Sequence, residues 1–171
     1  MTKEYFILAD PHLSHKNIIE YCNRPFSSVE EMDQKLIDNW NSVVKPNYTV
    51  YVLGDVCMKK QALPLLEQMN GRKILVPGNH DIFEAKTYLK YFDDVRGYIV
   101  KDNIIFSHIP IHKSSIERFT GCVHGHLHTG RVMDGLNIDP FYYCVSVEHI
   151  NYTPMLLSEV ITKLKEQQNE K

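Results

Sequence analysis

Val76-Pro77-Gly78-Asn79-His80-Asp81 is the stretch on which the predicted fold depends, because an apolar run ends there and reactive side chains follow at once. The preceding run, Lys73-Ile74-Leu75-Val76, is short, and Pro77 and Gly78 stop it abruptly. This pattern is typical of a buried strand that leads into a loop. Asn, His and Asp side chains can coordinate metals or donate and accept hydrogen bonds, which indicates a functional site at the strand end.

Four other stretches have the same form, an apolar run that ends in Asp or His. They are Ile7 to His12, Val50 to Asp55, Ile104 to His108 and Cys122 to His128. Five strand-like runs with such ends are the central feature of this sequence. We expect the five ends to converge on one site.

Composition and charge indicate an ordinary soluble protein. At 171 residues the chain is long enough to bury one core, and we predict a single domain over 1–171. The formal net charge of −2 provides no basic field that would recruit nucleic acid non-specifically. No run is long enough to cross a bilayer, and the N-terminus does not resemble a signal peptide.

The cysteines do not suggest a disulfide framework or a thiolate metal site. They are widely scattered at Cys22, Cys57, Cys122 and Cys144, and no Cys-x-x-Cys pair occurs. We therefore expect a cytoplasmic protein in which the thiols are small apolar fillers. No sequence feature specifies an oligomeric state.

Hydrophobic periodicity predicts alternating strands and helices in the first half and crowded strands in the second. Strands are predicted over 5–9, 48–53, 73–76, 95–100, 103–106, 119–123 and 142–147. A helical turn is predicted over 17–21, and helices over 29–45, 63–69, 84–91 and from 158 to the end. The clearest helix follows Ser27 and Ser28, which precede Glu30 and Glu31 at capping-box spacing. This order predicts a layered α/β fold with more than one sheet.

The side chains at the strand ends form a mixed nitrogen and oxygen ligand set without thiolate. The candidates are Asp10, His12, Asp55, Asn79, His108, His126 and His128. Such a set suits borderline divalent ions such as manganese, iron or zinc. Seven protein ligands are more than one ion needs if it also binds a water molecule. The number is about right for two ions roughly 3.5–4 Å apart that share a carboxylate. Alternate residues of an extended chain share a face, so His126 and His128 can point at the same site.

Together these motifs resemble the calcineurin-like metallophosphoesterase superfamily. Asp10-x-His12, Gly54-Asp55, Gly78-Asn79-His80-Asp81, His108 and Gly125-His126-x-His128 occur in that family's order. Within it, the chain is similar to the short single-domain phosphoesterases of bacteria and phages. The implied fold is a two-sheet β-sandwich flanked by helices, an α/β/β/α arrangement with the metals at the C-terminal strand ends.

The resemblance also implies a role for each matching residue. Asp10, His12, Asp55 and His128 would hold one metal ion, and Asp55 would bridge to a second ion held by Asn79, His108 and His126. His80 would face the scissile phosphate and stabilise or protonate the leaving oxygen. Asp81 would orient His80 through a hydrogen bond.

The implied activity is a dinuclear metal-dependent phosphoesterase. The expected substrate is a nucleotide-type or other small phosphodiester rather than a monoester. This expectation comes from the resemblance to small family members that lack a cap domain. The reaction would be in-line attack by a metal-bridging hydroxide. Manganese is the first choice of metal, with iron, zinc or nickel as alternatives. One departure from the family pattern is Val56-Cys57-Met58, where many relatives carry another acidic or amide residue.

Several residues have weaker assignments. His15 and Arg24 follow the first site strand and are candidate phosphate-binding or leaving-group-binding residues. His112 and Lys113 could line the rim, although a solvated loop is favoured. His124 shares the parity of His126, but its earlier position in the strand favours a buried, hydrogen-bonded histidine.

Two alternative functions remain open. A nuclease acting on short nucleic acid belongs to the same chemical class, but the absence of a basic stretch disfavours it. A non-catalytic scaffold would keep the fold and lose the activity. Such scaffolds usually lose the histidine that follows the metal-binding asparagine, and His80 is present.

Overall fold

The computed structural model of the protein describes residues 3–169 and contains two main β-sheets. The first sheet has the order β11-β1-β2-β3-β4, formed by Met155–Leu156, Tyr5–Leu8, Thr49–Val52, Arg72–Leu75 and Asp94–Val95. Strands β1 to β4 are parallel, and β11 pairs antiparallel with β1. The C-terminal ends of β1, β2 and β3 therefore lie side by side at one edge of the sheet.

The second sheet has the order β10-β7-β6-β5. Its strands are Tyr142–Cys144, Gly121–His124, Ile104–Ser107 and Ile99–Lys101. Strands β6, β7 and β10 are parallel, and β5 is antiparallel to β6. The two sheets meet at their C-terminal ends, where the Ala9 amide donates to the Val145 carbonyl at 2.9 Å. This contact joins the end of β1 to the end of β10, which is the parallel neighbour of β7.

One apolar core lies between the sheets. It is formed by Ile7, Leu53 and Ile74 from the first sheet and its loops, and by Phe106 and Val123 from the second. Helix α4, Leu157–Asn169, contributes Leu157, Val160 and Leu164 to the same core. It packs along the edge where β11, β1 and β10 lie. The predicted two-sheet sandwich is confirmed, and α4 closes one of its edges.

A second core lies between the outer face of the first sheet and helix α2, Val29–Val43. The predicted cap at the start of α2 is present, since the Ser28 side chain accepts a hydrogen bond from the Glu31 amide at 3.1 Å. Met32, Leu36 and Trp40 form the buried stripe of the helix. The outer face of the second sheet is covered by the loop that contains a 3₁₀ turn over Lys113–Ser115, with Ile116 buried against Tyr142 and Cys122.

Local departures from the predicted elements have physical causes. The helix predicted over 63–69 is a 3₁₀ helix over Lys60–Gln68, and Pro64 within it is incompatible with regular α-helical bonding. A helical turn over Asn17–Tyr21, α1, is present as predicted. The helix predicted over 84–91 is only one turn, α3, Ala85–Tyr88.

Two hairpins connect strands in the second half of the chain. One of them joins β5 and β6, and its turn residues Asp102 and Asn103 have φ angles of 50° and 61°, as a tight two-residue turn requires. Val95, predicted in the same strand as Val100, instead belongs to β4 of the first sheet. The other hairpin, β8 and β9 over Met133–Asp134 and Asn137–Ile138, was not predicted.

The C-terminal helix was predicted to continue from residue 158 to the end. Glu170 and Lys171 lie outside the described residues, and α4 begins one residue earlier than expected. None of the helices within residues 3–169 has the length and apolar character needed to span a lipid bilayer.

Candidate metal centre

The seven predicted ligand side chains lie on the loops that follow β1, β2, β3, β6 and β7. Five of them have left-handed backbone conformations with φ between 51° and 69°: Asp10, His12, Asp55, His126 and His128. Non-glycine residues rarely adopt this region, and such strain clusters at functional sites. The loop conformations therefore turn these side chains in a direction that a continuing strand would not allow.

The first group of candidate ligands comprises Asp10, His12 and His128. One ligand atom from each lies within 4.8 Å of the others. Asp10 Oδ2 accepts hydrogen bonds from the His126 amide at 2.9 Å and from Ser146 Oγ at 2.6 Å. These bonds leave the other oxygen of Asp10 facing the group.

The second group comprises Asp55, His108 and His126, whose ligand atoms also lie within 4.8 Å of one another. His108 Nε2 is 3.0 Å from Asn79 Oδ1, which brings the asparagine into this group. The carboxylate of Asp55 lies between the two groups. Its Oδ2 is 3.5 Å from His12 Nε2, and its Oδ1 is 3.5 Å from His108 Nε2.

Unsatisfied polar atoms test whether these residues fit metal ions. Asp10 Oδ1 and both ring nitrogens of His12 are buried and have no hydrogen-bond partner among residues 3–169. Unpaired buried polar atoms are costly, and native proteins pair them with protein groups, water or ions. Oxygen and imidazole donors left in this way match the needs of borderline divalent cations.

The protonation states of the metal-free groups follow from burial. Burial raises the pKa of the Asp10 carboxyl to about 6, despite the neighbouring His108. Burial, and then the positive charge of Arg24, lower the pKa of His12 to about 2. His12 is therefore neutral at physiological pH and offers a nitrogen lone pair.

Close packing explains the glycine of the Gly78-Asn79-His80-Asp81 motif. A Cβ atom on Gly78 would lie 2.7 Å from the Asp55 amide nitrogen and 2.8 Å from His108 Cε1, and it would also clash with Asp55 Oδ1. A side chain at this position would push apart the loops that carry the second group. Glycine is needed here for close approach rather than for its backbone freedom.

His80 lies next to both groups. Its backbone amide donates to Asp55 Oδ1 at 2.9 Å, and its half-buried ring lies 5.6 Å from the ring of His12. The imidazole therefore lies at the mouth of the site, where it can reach a bound molecule.

Asp81 has partners different from the predicted one. Its Oδ2 accepts from the amides of Asp55 and Gly78 at 2.7 and 2.8 Å, and its Oδ1 accepts from the Val56 amide at 3.0 Å. The expected hydrogen bond to His80 is not among the bonds within residues 3–169. The carboxylate instead joins the loops after β2 and β3, because three backbone amides point at it.

The two tentative substrate-binding residues have different environments. His15 is half-buried at the mouth, its ring 5.5 Å from that of His12, consistent with the prediction. The environment of Arg24 does not fit the expected phosphate-binding role. Its side chain is buried and donates to the Asp10 and Pro11 carbonyls at 2.8 and 2.9 Å. Its guanidinium also binds Glu148 at 2.7 Å, which leaves no fork for a phosphate.

Glu148 and Ser146 lie beside the first group but were not among the predicted site residues. Ser146 Oγ holds Asp10, and Glu148 Oε1 lies 3.1 Å from His128 Nδ1. Both residues follow β10, the parallel neighbour of β7, so the same strand-end pattern could have identified them. Cys22 lies within reach of Glu148 and His128, but burial raises the pKa of its thiol to about 11, and it remains protonated.

Two further histidines that the sequence singled out, His112 and His124, lie outside the two groups. The His112 ring is exposed and caps the 3₁₀ turn over Lys113–Ser115, with Nδ1 2.8 Å from Ser114 Oγ. His124 is buried in β7, and its Nδ1 donates to the Gly125 carbonyl at 2.7 Å. Both match the structural interpretations that the sequence favoured.

The environment of His124 predicts a pH-dependent stability. Burial lowers its pKa from 6.5 to about 4, so the folded protein favours the neutral ring while the unfolded chain binds a proton below pH 6.5. The stability from this group is complete above pH 6.5 and is lost as the pH falls towards about 4, at about 1.4 kcal/mol per pH unit. The free energy of unfolding can be measured with urea at about pH 7 and about pH 4.5. Between these two pH values, we expect His124→Gln to lose about 2–3 kcal/mol less of its free energy of unfolding than the wild type loses. An equal loss in both proteins would assign the acid sensitivity to other groups.

Comparisons with known proteins identify relatives along nearly the whole chain. It is 37% identical over 170 residues to an uncharacterised protein of Methanocaldococcus jannaschii, covering 96% of this chain and 92% of that protein. It is also 38% identical over 78 residues to the gene 66 protein of Mycobacterium phage L5, covering 43% of this chain and 37% of the phage protein.

A structural comparison and a family comparison also cover nearly the whole chain. A crystal structure of a protein of unknown function from Aquifex aeolicus is similar, with a TM-score of 0.72 and 26% identity over 94% of this chain and 99% of that chain. The sequence model of the calcineurin-like phosphoesterases matches residues 5–167, a range that includes every strand and every candidate ligand. The chain therefore belongs to the calcineurin-like phosphoesterase family and is a metal-dependent phosphoester hydrolase.

Proposed function

We propose that this protein is a dinuclear phosphodiesterase that hydrolyses a nucleotide-type or other small phosphodiester. The observation that carries this proposal is the position of Asp55, which presents one oxygen to each of two neighbouring ligand groups. A carboxylate shared in this way is what a two-ion phosphate clamp requires.

Each ion would have its own set of side chains. Asp10, His12 and His128 would hold the first ion, Asn79, His108 and His126 the second, and Asp55 would bridge them. The absence of thiolate in both sets favours manganese, with iron, zinc or nickel as alternatives. When bound, the ions would supply a water-derived nucleophile at neutral pH and neutralise negative charge on the phosphate.

His80 would act on the leaving group. Its ring is half-buried at the mouth of the site, and its amide is fixed by Asp55, so the imidazole can hold a proton close to the departing oxygen. Asp81 would contribute indirectly, because it fixes the loop that carries His80 through the Gly78 and Asp55 amides.

The surroundings of His15 support a nucleotide-type substrate. The ring of Tyr21 on α1 is 72% exposed and packs edge-on against His15, 6.4 Å away. An exposed aromatic ring beside a phosphate site can stack on a nucleobase. The His15 ring is half-buried at the mouth of the site, 5.5 Å from the ring of His12, where it can meet a phosphate or leaving group.

The environment of Arg24 favours a diester over a monoester. A monoester dianion carries one more negative charge than a diester and benefits most from a forked cation. Arg24 is the arginine that the sequence suggested for phosphate binding. Its guanidinium donates hydrogen bonds to Glu148 and to two backbone carbonyls instead. Arg24 therefore offers no forked cation to the second negative charge of a monoester dianion.

Hydrolysis of a chromogenic aryl diester and its matching aryl monoester, with manganese supplied, tests the proposal. We expect kcat/KM to be at least about tenfold higher for the diester, a difference of about 1.4 kcal/mol in transition-state stabilisation. Faster hydrolysis of the monoester would overturn the diester preference. Tight metal binding without hydrolysis of either ester, of cyclic nucleotides or of short DNA would indicate a scaffold, and preferred cleavage of DNA would indicate a nuclease.

A further inference from the structure

Arg24 is a buried cation that joins three distant parts of the chain. Its Nη2 and Nη1 donate to the carbonyls of Asp10 and Pro11, on the loop that carries the first group of candidate ligands. Its Nε and Nη2 both donate to Glu148 Oε1, at 3.0 and 2.7 Å. Its side chain is 0% exposed and that of Glu148 is 5% exposed, so this ion pair is screened from solvent.

Glu148 also contacts the third ligand of that group. The oxygen that accepts from Arg24 lies 3.1 Å from His128 Nδ1. An ionised carboxylate can only accept hydrogen bonds, so Nδ1 carries the proton in the neutral form of His128 that can bind a metal. Nε2 is then the nitrogen with the available lone pair, and the ring cannot rotate without breaking its bond to Glu148.

We propose that Arg24 and Glu148 are positioning residues that hold His128, Asp10 and His12 in a metal-binding arrangement and so set the affinity of the first ion. The inference rests on the proposed function, since it takes that ligand set as its starting point. Carboxylates behind metal-ligating histidines commonly select the tautomer and the ring orientation. Here Arg24 extends the support, because one guanidinium holds both the carboxylate and the loop with Asp10.

The arrangement favours one ion over the other. The protein hydrogen bonds of Arg24 and Glu148 reach Asp10, Pro11, Met32 and His128, all on the side of the first group. Within residues 3–169, no side chain of the second group is hydrogen-bonded to Arg24 or Glu148, and His108 Nδ1 lies 2.8 Å from the Leu53 carbonyl. Weakening the hydrogen bond between Glu148 and His128 should therefore change the affinity for one ion and leave the affinity for the other unchanged.

Glu148→Gln tests this inference, with Glu159→Gln on the exposed face of α4 as the matched control. Glutamine has nearly the same shape and can still accept from Arg24, but it loses the charge that strengthens the bond to His128. In calorimetric titration with manganese, we expect the affinity of one ion to fall about 10–100-fold and that of the other to stay at the wild-type value. The control should bind both ions as the wild type does.

A second readout is independent of metal and of activity. Long-range ¹H–¹⁵N spectra of the metal-free protein report the tautomer of each histidine, and we expect His128 to be Nδ1-protonated in the wild type and in Glu159→Gln. In Glu148→Gln the population of this tautomer should decrease. If the wild type bound only one ion, the dinuclear proposal would fail, while the tautomer shift would still support the positioning role.

Arg24→Lys keeps the positive charge but loses the fork, and it provides an independent variant if Glu148→Gln does not fold. We expect the same selective loss of one ion. Unchanged affinities and an unchanged His128 tautomer in the folded variants would overturn the inference, and so would an equal weakening of both ions.

Discussion

His80→Ala is expected to lower kcat for the diester by about 10²–10⁴-fold, the usual contribution of a well-placed general acid, while the protein keeps its metal ions. The reason is geometric: the His80 amide is tied to Asp55, but its ring lies 5.6 Å from that of His12, at the mouth of the site. Removing the ring therefore takes away a proton donor without removing a proposed ligand. The measurement pairs steady-state kinetics with elemental analysis of the purified variant.

His112→Ala is the matched control for this variant. The His112 ring is exposed, and its partner is Ser114 on the 3₁₀ turn, so its loss should leave kcat and metal content at the wild-type values. Loss of metal from His80→Ala would mean that His80 is a ligand, which contradicts our assignment. An undiminished kcat would remove His80 from the proposed mechanism.

The convergence of the site was predictable because strand ends in a parallel sheet share an edge. Asp10, Asp55 and Asn79 follow β1, β2 and β3, which are hydrogen-bonded neighbours, and His108 and His126 follow the paired strands β6 and β7. Alternation of apolar and polar residues cannot reveal how two sheets meet. The family resemblance supplied that step, and the hydrogen bond from the His126 amide to Asp10 Oδ2 shows the two sheets joined at this point.

The hydrogen-bond partners of Arg24 and Asp81 differ from the expected ones for a common reason. A guanidinium or carboxylate can serve a substrate or the protein itself, and the choice depends on partners that are distant in sequence. Glu148 lies 124 residues from Arg24, and the Val56 amide lies 25 residues from Asp81. Both side chains act within the scaffold, because buried charges and unpaired amides must be satisfied before substrate contacts can be made.

Predictability of the fold followed the strength of the local signal. Helix α2 combines a Ser28 cap with a regular apolar stripe, and its predicted start was correct. The two-residue strands β8 and β9 contain exposed side chains with no such pattern, so local sequence does not specify them. Strand β4 is similar, since Val95 pairs with Leu75 only once the first sheet has formed.

Asp55→Asn is expected to weaken both metal ions together, by more than the roughly 10–100-fold that loss of a partner behind a ligand costs. The two oxygens of Asp55 face different groups, 3.5 Å from His12 Nε2 and 3.5 Å from His108 Nε2, so the variant removes a shared negative charge. Asparagine keeps an oxygen for the His80 amide, and relief of repulsion with the buried Asp10 should leave the metal-free protein at least as stable as the wild type.

Metal titration of Asp55→Asn, together with thermal unfolding of its metal-free form, separates the effect on metal binding from the effect on stability. Asp102→Asn in the β5–β6 turn is the control. Retention of two ions at wild-type affinity would refute the bridging role, because the charge that holds both cations would then have to come from another side chain.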